Sequence, residues 1–279
     1  GDHRDLHYPI RRQRQMCIRD SYTRGTQAFH EWIRQSFHIN KPYNQFVAEL
    51  VTARGEISHN PATAWFRNVT DQKERLQDTA QVLLGVRLQC AECHHHPYEK
   101  WSQQDYYGFS AFFSRIGKKK TDMPGEEAVF HNVGLATAKN PKTGQNVKPT
   151  PLGGDELDIL AEDDPRDDLA SWITDEKNPF FAPMLVNRYW KHFFNRAIVE
   201  PEDDMRVTNP PTNPELLQAL SNQFISTGYD IKDLIRTICN STTYQLSAIP
   251  NEHNAGAVSY THLRAHETDS YLVCRLLLE

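Results

Sequence analysis

Several things are scarce in this 279-residue chain. No apolar run approaches the roughly 20 residues a membrane-crossing helix requires, so no span is expected. Neither sign of charge dominates: 31 Lys and Arg stand against 36 Asp and Glu, a net charge of −5. A general nucleic-acid binder shows a clustered basic face, and the Lys118-Lys119-Lys120 run is too short for one. It reads instead as a solvated loop. Of five cysteines, only Cys90, Cys93 and Cys239 lie within residues 22–257, and three do not suggest a disulfide framework. There is no Gly-rich phosphate loop, no Gly-x-Ser-x-Gly elbow and no His-Glu-x-x-His helix, so the nucleotide-binding, hydrolase and zinc-protease signatures are missing. No internal repeat is evident.

The termini read as foreign to the rest. The transposon-end adaptor of sequencing libraries, ctgtctcttatacacatct, translates in one frame to V-S-Y-T-H-L, the residues at 258–263. R-A-H-E-T and S-Y-L-V-C-R-L-L-L follow as its continuation, and R-Q-R-Q-M-C-I-R-D-S at 12–21 resembles the opposite adaptor. Residues 1–21 and 258–279 are therefore expected to be adaptor-derived and are set aside from fold reasoning. Setting them aside removes seven basic residues, six acidic residues and two of the five cysteines. Residues 22–257 then read as an internal piece of a larger protein. At ~235 residues it can bury roughly 70% of its unfolded surface, in one domain or two small ones.

The spacing of apolar residues predicts a mainly α protein: two helical halves, 22–160 and 161–257, with a small β-hairpin between them. Phe29, Trp32, Ile33 and Phe37 recur at helical spacing over 26–38. Pro42 opens a second helix, with Phe46, Val47, Leu50 and Val51 on its apolar face. Asp71 and Glu74 form an N-terminal signature for a helix over 72–86. Ser102 and Asp105 begin another, carrying Tyr106, Tyr107, Phe109, Phe112 and Phe113. Residues 126–134 and 145–151 are expected to pair as strands around the Asn140–Gly144 turn, and 149–154 to serve as a linker. Helices are then expected at about 165–175, 180–195, 214–227 and 230–240. Cys239 is expected to be a buried thiol on the last of these.

The stretch Leu88-Gln89-Cys90-Ala91-Glu92-Cys93-His94-His95-His96-Pro97-Tyr98-Glu99-Lys100-Trp101 holds two thiols and three imidazoles. Cys-x-x-Cys-His is the attachment pattern for haem c. Cys90 and Cys93 at i and i+3 share a helical face and suit two thioethers, and His94 suits the proximal iron ligand. The sixth ligand is open among His131, Met184, Met205 and His192. Three other readings stand beside this one. Cys90, Cys93 and His96 can supply three of the four ligands of a zinc site, with His131 or Asp105 completing it. A redox dithiol uses the same Cys-x-x-Cys spacing, although a thioredoxin-like βαβ context is missing. A disulfide-closed turn in an interaction module is the structural reading.

In the second half, Arg188 and His192 lie at i and i+4 on one helix, and Asp203, Asp204 and Arg206 follow on a polar loop. Paired carboxylates beside a His and an Arg can do acid–base work, as in a glycan-active enzyme. The plainer reading is a buried ion-pair network in which Arg188 and Arg206 hold Asp203 and Asp204 and anchor the loop.

Two long stretches carry a family resemblance. G-V-R-L-Q-C-A-E-C-H-H-H-P-Y-E-K-W-S-Q-Q-D-Y-Y-G-F-S-A-F-F at 85–113 resembles the core of the planctomycete cytochrome-associated domain of unknown function. Residues 178–206, 209–217 and 228–247 resemble its usual C-terminal partner domain. The family run usually has Asp or Asn where this chain has His95, which makes His95 the least expected essential member of the triplet. The resemblance implies a large exported protein, periplasmic or extracellular, of unsettled activity. It also implies a cytochrome c domain as partner, in the same or a neighbouring chain. The function expected is redox or electron transfer through haem c at Cys90, Cys93 and His94, with His96 a further metal-ligand candidate. The alternative is a zinc- or disulfide-stabilised module serving glycan processing at the cell surface.

Overall fold

The computed structural model describes residues 25–67, 69, 71–95, 99–122 and 126–246. Both adaptor-like termini lie outside these residues. Helix accounts for 49% of the described residues and strand for 7%, a mainly α fold with small antiparallel sheets.

Helix α1 runs over residues 25–38 and α2 over Tyr43–Val51, with Pro42 just ahead of it as the fixed φ of proline favours. A 3₁₀ turn, Pro61–Phe66, leads to α3 at Gln72–Thr79, whose N-terminus is capped by the Asp71 side chain accepting from Lys73 N. The helix expected to reach 86 changes character after Thr79. Residues Ala80–Leu84 form a single π-turn, and Gly85 reverses the chain at φ +67°. A Cβ at Gly85 would lie 3.1 Å from the side chains of both Met184 and Met205, so glycine meets a steric as well as a dihedral demand. Helix α4, Gln103–Ala111, opens on a full capping box between Ser102 and Asp105.

The expected hairpin is present in altered form. Strands β1 (Gly55–Glu56), β2 (Ile116–Lys120) and β3 (Glu127–His131) make one antiparallel sheet in the order β1-β3-β2. A separate two-residue ladder, β4 (Ala138–Lys139) with β5 (Asn146–Val147), closes over the 140–144 turn, where Asn140 Oδ1 accepts from Lys142 N and Thr143 N. Thus 126–134 does not pair with 145–151. Its partner is the lysine run read above as a solvated loop. Within it Lys119 and Lys120 stay exposed, and only Lys118 is partly buried, as its aliphatic stem tolerates. The Lys118 ammonium donates to the Arg67 and Val69 carbonyls, at 3.0 and 3.3 Å. The 149–154 segment is a packed strap rather than a free linker. Thr150 N donates to Gly108 O, Leu157 N to Pro149 O, and Leu152 is buried.

The second half contributes α5 (Pro165–Ile173), α6 (Phe181–Phe194), α7 (Pro214–Ser226), α8 (Ile231–Cys239) and a short α9 (Thr242–Gln245). Side-chain caps from Asp164, Asn213, Asp230 and Ser241 start four of the five. The halves do not keep separate interiors. One continuous apolar core joins Val47, Leu76, Leu84 and Phe109 to Phe181, Val186, Phe224 and Ile235. Tyr43 stacks on Phe181 at 5.0 Å, and its N–H donates to Tyr229 O. Arg166 on α5, fully buried, donates to Ala53 O and is doubly hydrogen-bonded to Asp164. Among the described residues, no helix is long and apolar enough to cross a membrane.

Candidate functional site

The π-turn and Gly85 deliver the chain into a 3₁₀ turn, Gln89–Glu92, that carries the first half of the cysteine motif. Leu88 and Ala91 are fully buried beneath it, and Gln89, Cys90, Cys93 and His94 face outward. Cys93 N and His94 N both donate to Cys90 O, at 3.4 and 3.3 Å. This keeps Cys90, Cys93 and His94 on one helical turn. Both thiols are free and solvent-exposed, as is the His94 ring. The His94 Nδ1–H donates to His95 O at 2.6 Å, which leaves Nε2 as the lone-pair nitrogen.

Glu92 is the inward anchor of the turn. Its carboxylate accepts from Lys73 Nζ at 2.7 Å, Tyr106 Oη at 3.3 Å and Gln77 Nε2 at 3.5 Å. Its carbonyl accepts from Gln103 Nε2 at 2.9 Å and Tyr107 Oη at 3.4 Å. The aromatic face of α4 is core, and its two tyrosines grip the motif by their hydroxyls. The hydrogen bond to Glu92 raises the Lys73 pKa, and burial pushes the Tyr106 hydroxyl up. Nothing in the sequence marked Glu92 apart from its place inside the motif.

The residues just before and just after the motif line a small open cleft. Val86, Trp101, Phe180 and Met205 supply apolar wall, and Arg87 and Glu99 supply polar groups. Of the four sixth-ligand candidates, only Met205 borders this cleft. Met184 is fully buried, His192 is exposed on α6, and His131 lies on β3 with its Nε2 buried and unbonded. For the zinc reading, the Asp105 carboxylate is engaged in the capping box. His96 lies outside the described residues. Among the described residues, no three His, Cys, Asp or Glu side chains converge as a metal-holding group. Cys239, expected to be buried, is partly buried and packs against the core.

The second-half candidates are engaged in holding the loop. Asp203 receives hydrogen bonds from Arg87 and Gln81 of the first half. Burial alone would raise its pKa, but these two donors outweigh burial and hold it below the usual carboxylate range. Asp204 is buried and pairs with Arg206 at 2.9 Å, with Arg87 at 4.0 Å. Arg188 reaches neither aspartate and donates instead to Gln81 O at 3.0 Å. Met205 N donates to Gly85 O, and Asn187, fully buried, bonds both ways with Val199. Among the described residues, no hydrogen bond or ion pair links His192 to Asp203 or Asp204. The decisive partner, Arg87, stands 116 positions from Asp203, and no local pattern points to so distant a contact.

Residues 7–118 match the family model PSCyt2, described as a protein of unknown function (DUF1549). Residues 165–269 match PSD1, described as a protein of unknown function (DUF1553). The chain is therefore similar to the two domains in the order the sequence suggested. The first match begins inside one adaptor-like terminus and the second ends inside the other. No curated protein and no solved structure matches the chain.

Proposed function

We propose that Cys90 and Cys93 attach haem c covalently, that His94 is its proximal ligand, and that the protein is an exported electron-transfer module. The observation that carries this reading is the turn itself. Two free thiols and an imidazole face solvent on one helical turn, and the imidazole is held in the tautomer that presents Nε2. Such an Nδ1–H to carbonyl bond fixes the ring orientation and tautomer of a metal-ligating histidine. Each thiol S–H adds across a vinyl double bond, so the attachment loses no atoms. When bound, the group supplies one-electron transfer.

The chain's residues fit the group in their donor set. Cys90 and Cys93 would tether it, His94 would ligate it, and the cleft beside the motif offers Trp101, Phe180 and Met205 as apolar neighbours. Met205, which borders this cleft, would be a further candidate to ligate the group. Thioether attachment belongs to an oxidising, exported setting, which agrees with a periplasmic or extracellular location. A cytochrome c domain, in the same or a neighbouring chain, is the proposed electron partner.

Expression of the full chain with periplasmic haem-maturation machinery tests the reading. Haem stain should survive a denaturing gel, with a pyridine haemochrome spectrum of thioether-bound haem. Both signals should be lost in Cys90→Ser/Cys93→Ser. Unstained protein carrying one equivalent of zinc would replace this reading with the zinc one. Protein with neither haem nor zinc would favour a structural turn.

A further inference from the structure

We infer that Glu92 is a positioning residue whose anchored side chain holds Cys90 and Cys93 outward as a preformed dithiol pair. The inference rests on the reading of these cysteines as the reactive site, but it does not depend on which group they take.

A Cys-x-x-Cys turn at a surface has no intrinsic reason to keep both thiols on one exposed face. Four residues give few hydrogen bonds, and a 3₁₀ turn frays readily. Here the two intervening residues are fixed from below. Ala91 is fully buried, and Glu92 has five protein donors on three of its oxygens. These donors come from α3 (Lys73, Gln77) and α4 (Gln103, Tyr106, Tyr107), the two helices that enclose the turn. Gln77 also donates to Tyr106 Oη at 3.1 Å, so the donors are linked to one another. A residue whose side chain and carbonyl are both tied inward leaves its neighbours on either side little freedom to turn in. The entropy of presenting two thiols together is therefore met by folding rather than by the binding step.

Phenylarsine oxide is a probe that reads this property directly. Its arsenic takes both thiols, forming two As–S bonds and releasing one water, and neither sulfur changes oxidation state. Capture that resists a competing monothiol requires the two thiols to be held together. The full chain in reduced form should capture one equivalent. Glu92→Ala should lose about tenfold in resistance to the monothiol, the scale of a removed charge-assisted hydrogen-bond set. Glu92→Gln keeps an oxygen acceptor for Tyr106 and Lys73 and should restore most of it. Far-UV circular dichroism of each variant separates local loosening from unfolding. If Glu92→Ala unfolds, Tyr107→Phe with Gln103→Ala loosens only the carbonyl side and should show a smaller loss. Folded Glu92→Ala with unchanged capture would overturn the inference. Normal capture in a wild-type chain that fails to take haem would leave the inference standing and remove the haem reading.

Discussion

Removing the Arg166 guanidinium should be among the most damaging single changes in the molecule. Its side chain is wholly buried, lies 5.3 Å over the Phe66 ring, and holds Asp164 through Nε at 3.0 Å and NH2 at 2.7 Å. Its third arm donates to Ala53 O at 2.8 Å, joining α5 to the end of α2. Arg166→Ala leaves a buried carboxylate and a carbonyl without that donor, a situation that costs about 3–5 kcal/mol. Arg54 stands 3.8 Å from Asp164 and only partly compensates. For a domain this size, with an m-value of roughly 3 kcal/mol per molar urea, the midpoint should fall by about 1–1.7 M. The pH dependence has a definite sign. Burial raises the Asp164 pKa, but the Arg166 contacts outweigh it and leave the carboxyl lowered. The contribution is therefore complete above the unfolded carboxyl range near 3.9 and is lost as pH falls through the lowered folded value. The gap between wild type and Arg166→Ala should narrow at acid pH. Arg166→Met combined with Asp164→Asn, which keeps an N-cap, should cost far less than the single change. A single-variant loss under about 1 kcal/mol, or a double variant as damaged as the single, would refute this reasoning.

Other outcomes follow from the same geometry. Asp203→Asn should weaken the tie between the loop and the first half, seen as faster amide exchange at Gly85 and Met205. Acidification should mimic it, because the lowered Asp203 carboxyl releases Arg87 only when pH drops through its folded value. Ser102→Ala removes one arm of the α4 capping box and should cost about 1 kcal/mol in urea unfolding. His192→Ala, at an exposed site, should change stability by less than about 0.5 kcal/mol. In haem-loaded protein, Met205→Leu should alter the visible spectrum and reduction potential, whereas His192→Ala should alter neither.

What could be read from the sequence was local. Capping signatures at Asp71 and Ser102, and Pro at the starts of α5 and α7, marked helix beginnings because their chemistry acts within three residues. The Cys90–His94 turn was visible for the same reason. Strand pairing was not. Glu127–His131 alternates weakly, and its choice of the lysine strand over 145–151 depends on carbonyls at Arg67 and Val69 that accept from Lys118. The loop 201–206 was recognised as an anchored ion-pair network, with Arg206 rightly on Asp204 but Arg188 wrongly assigned. Arg188 turned to Gln81 O while Arg87 took Asp203, a partnership across the shared core of the two halves. Glu92 escaped notice because a charged residue between two cysteines reads as solvent-facing until α3 and α4 are packed against it.

The most direct test of the central claim is the intact mass of the full chain under denaturing conditions, after expression with haem-maturation machinery. The account predicts the polypeptide mass plus one haem in wild type. It predicts the bare polypeptide mass in Cys90→Ser/Cys93→Ser. Bare mass in wild type, from cells whose machinery loads a control cytochrome c, would contradict it.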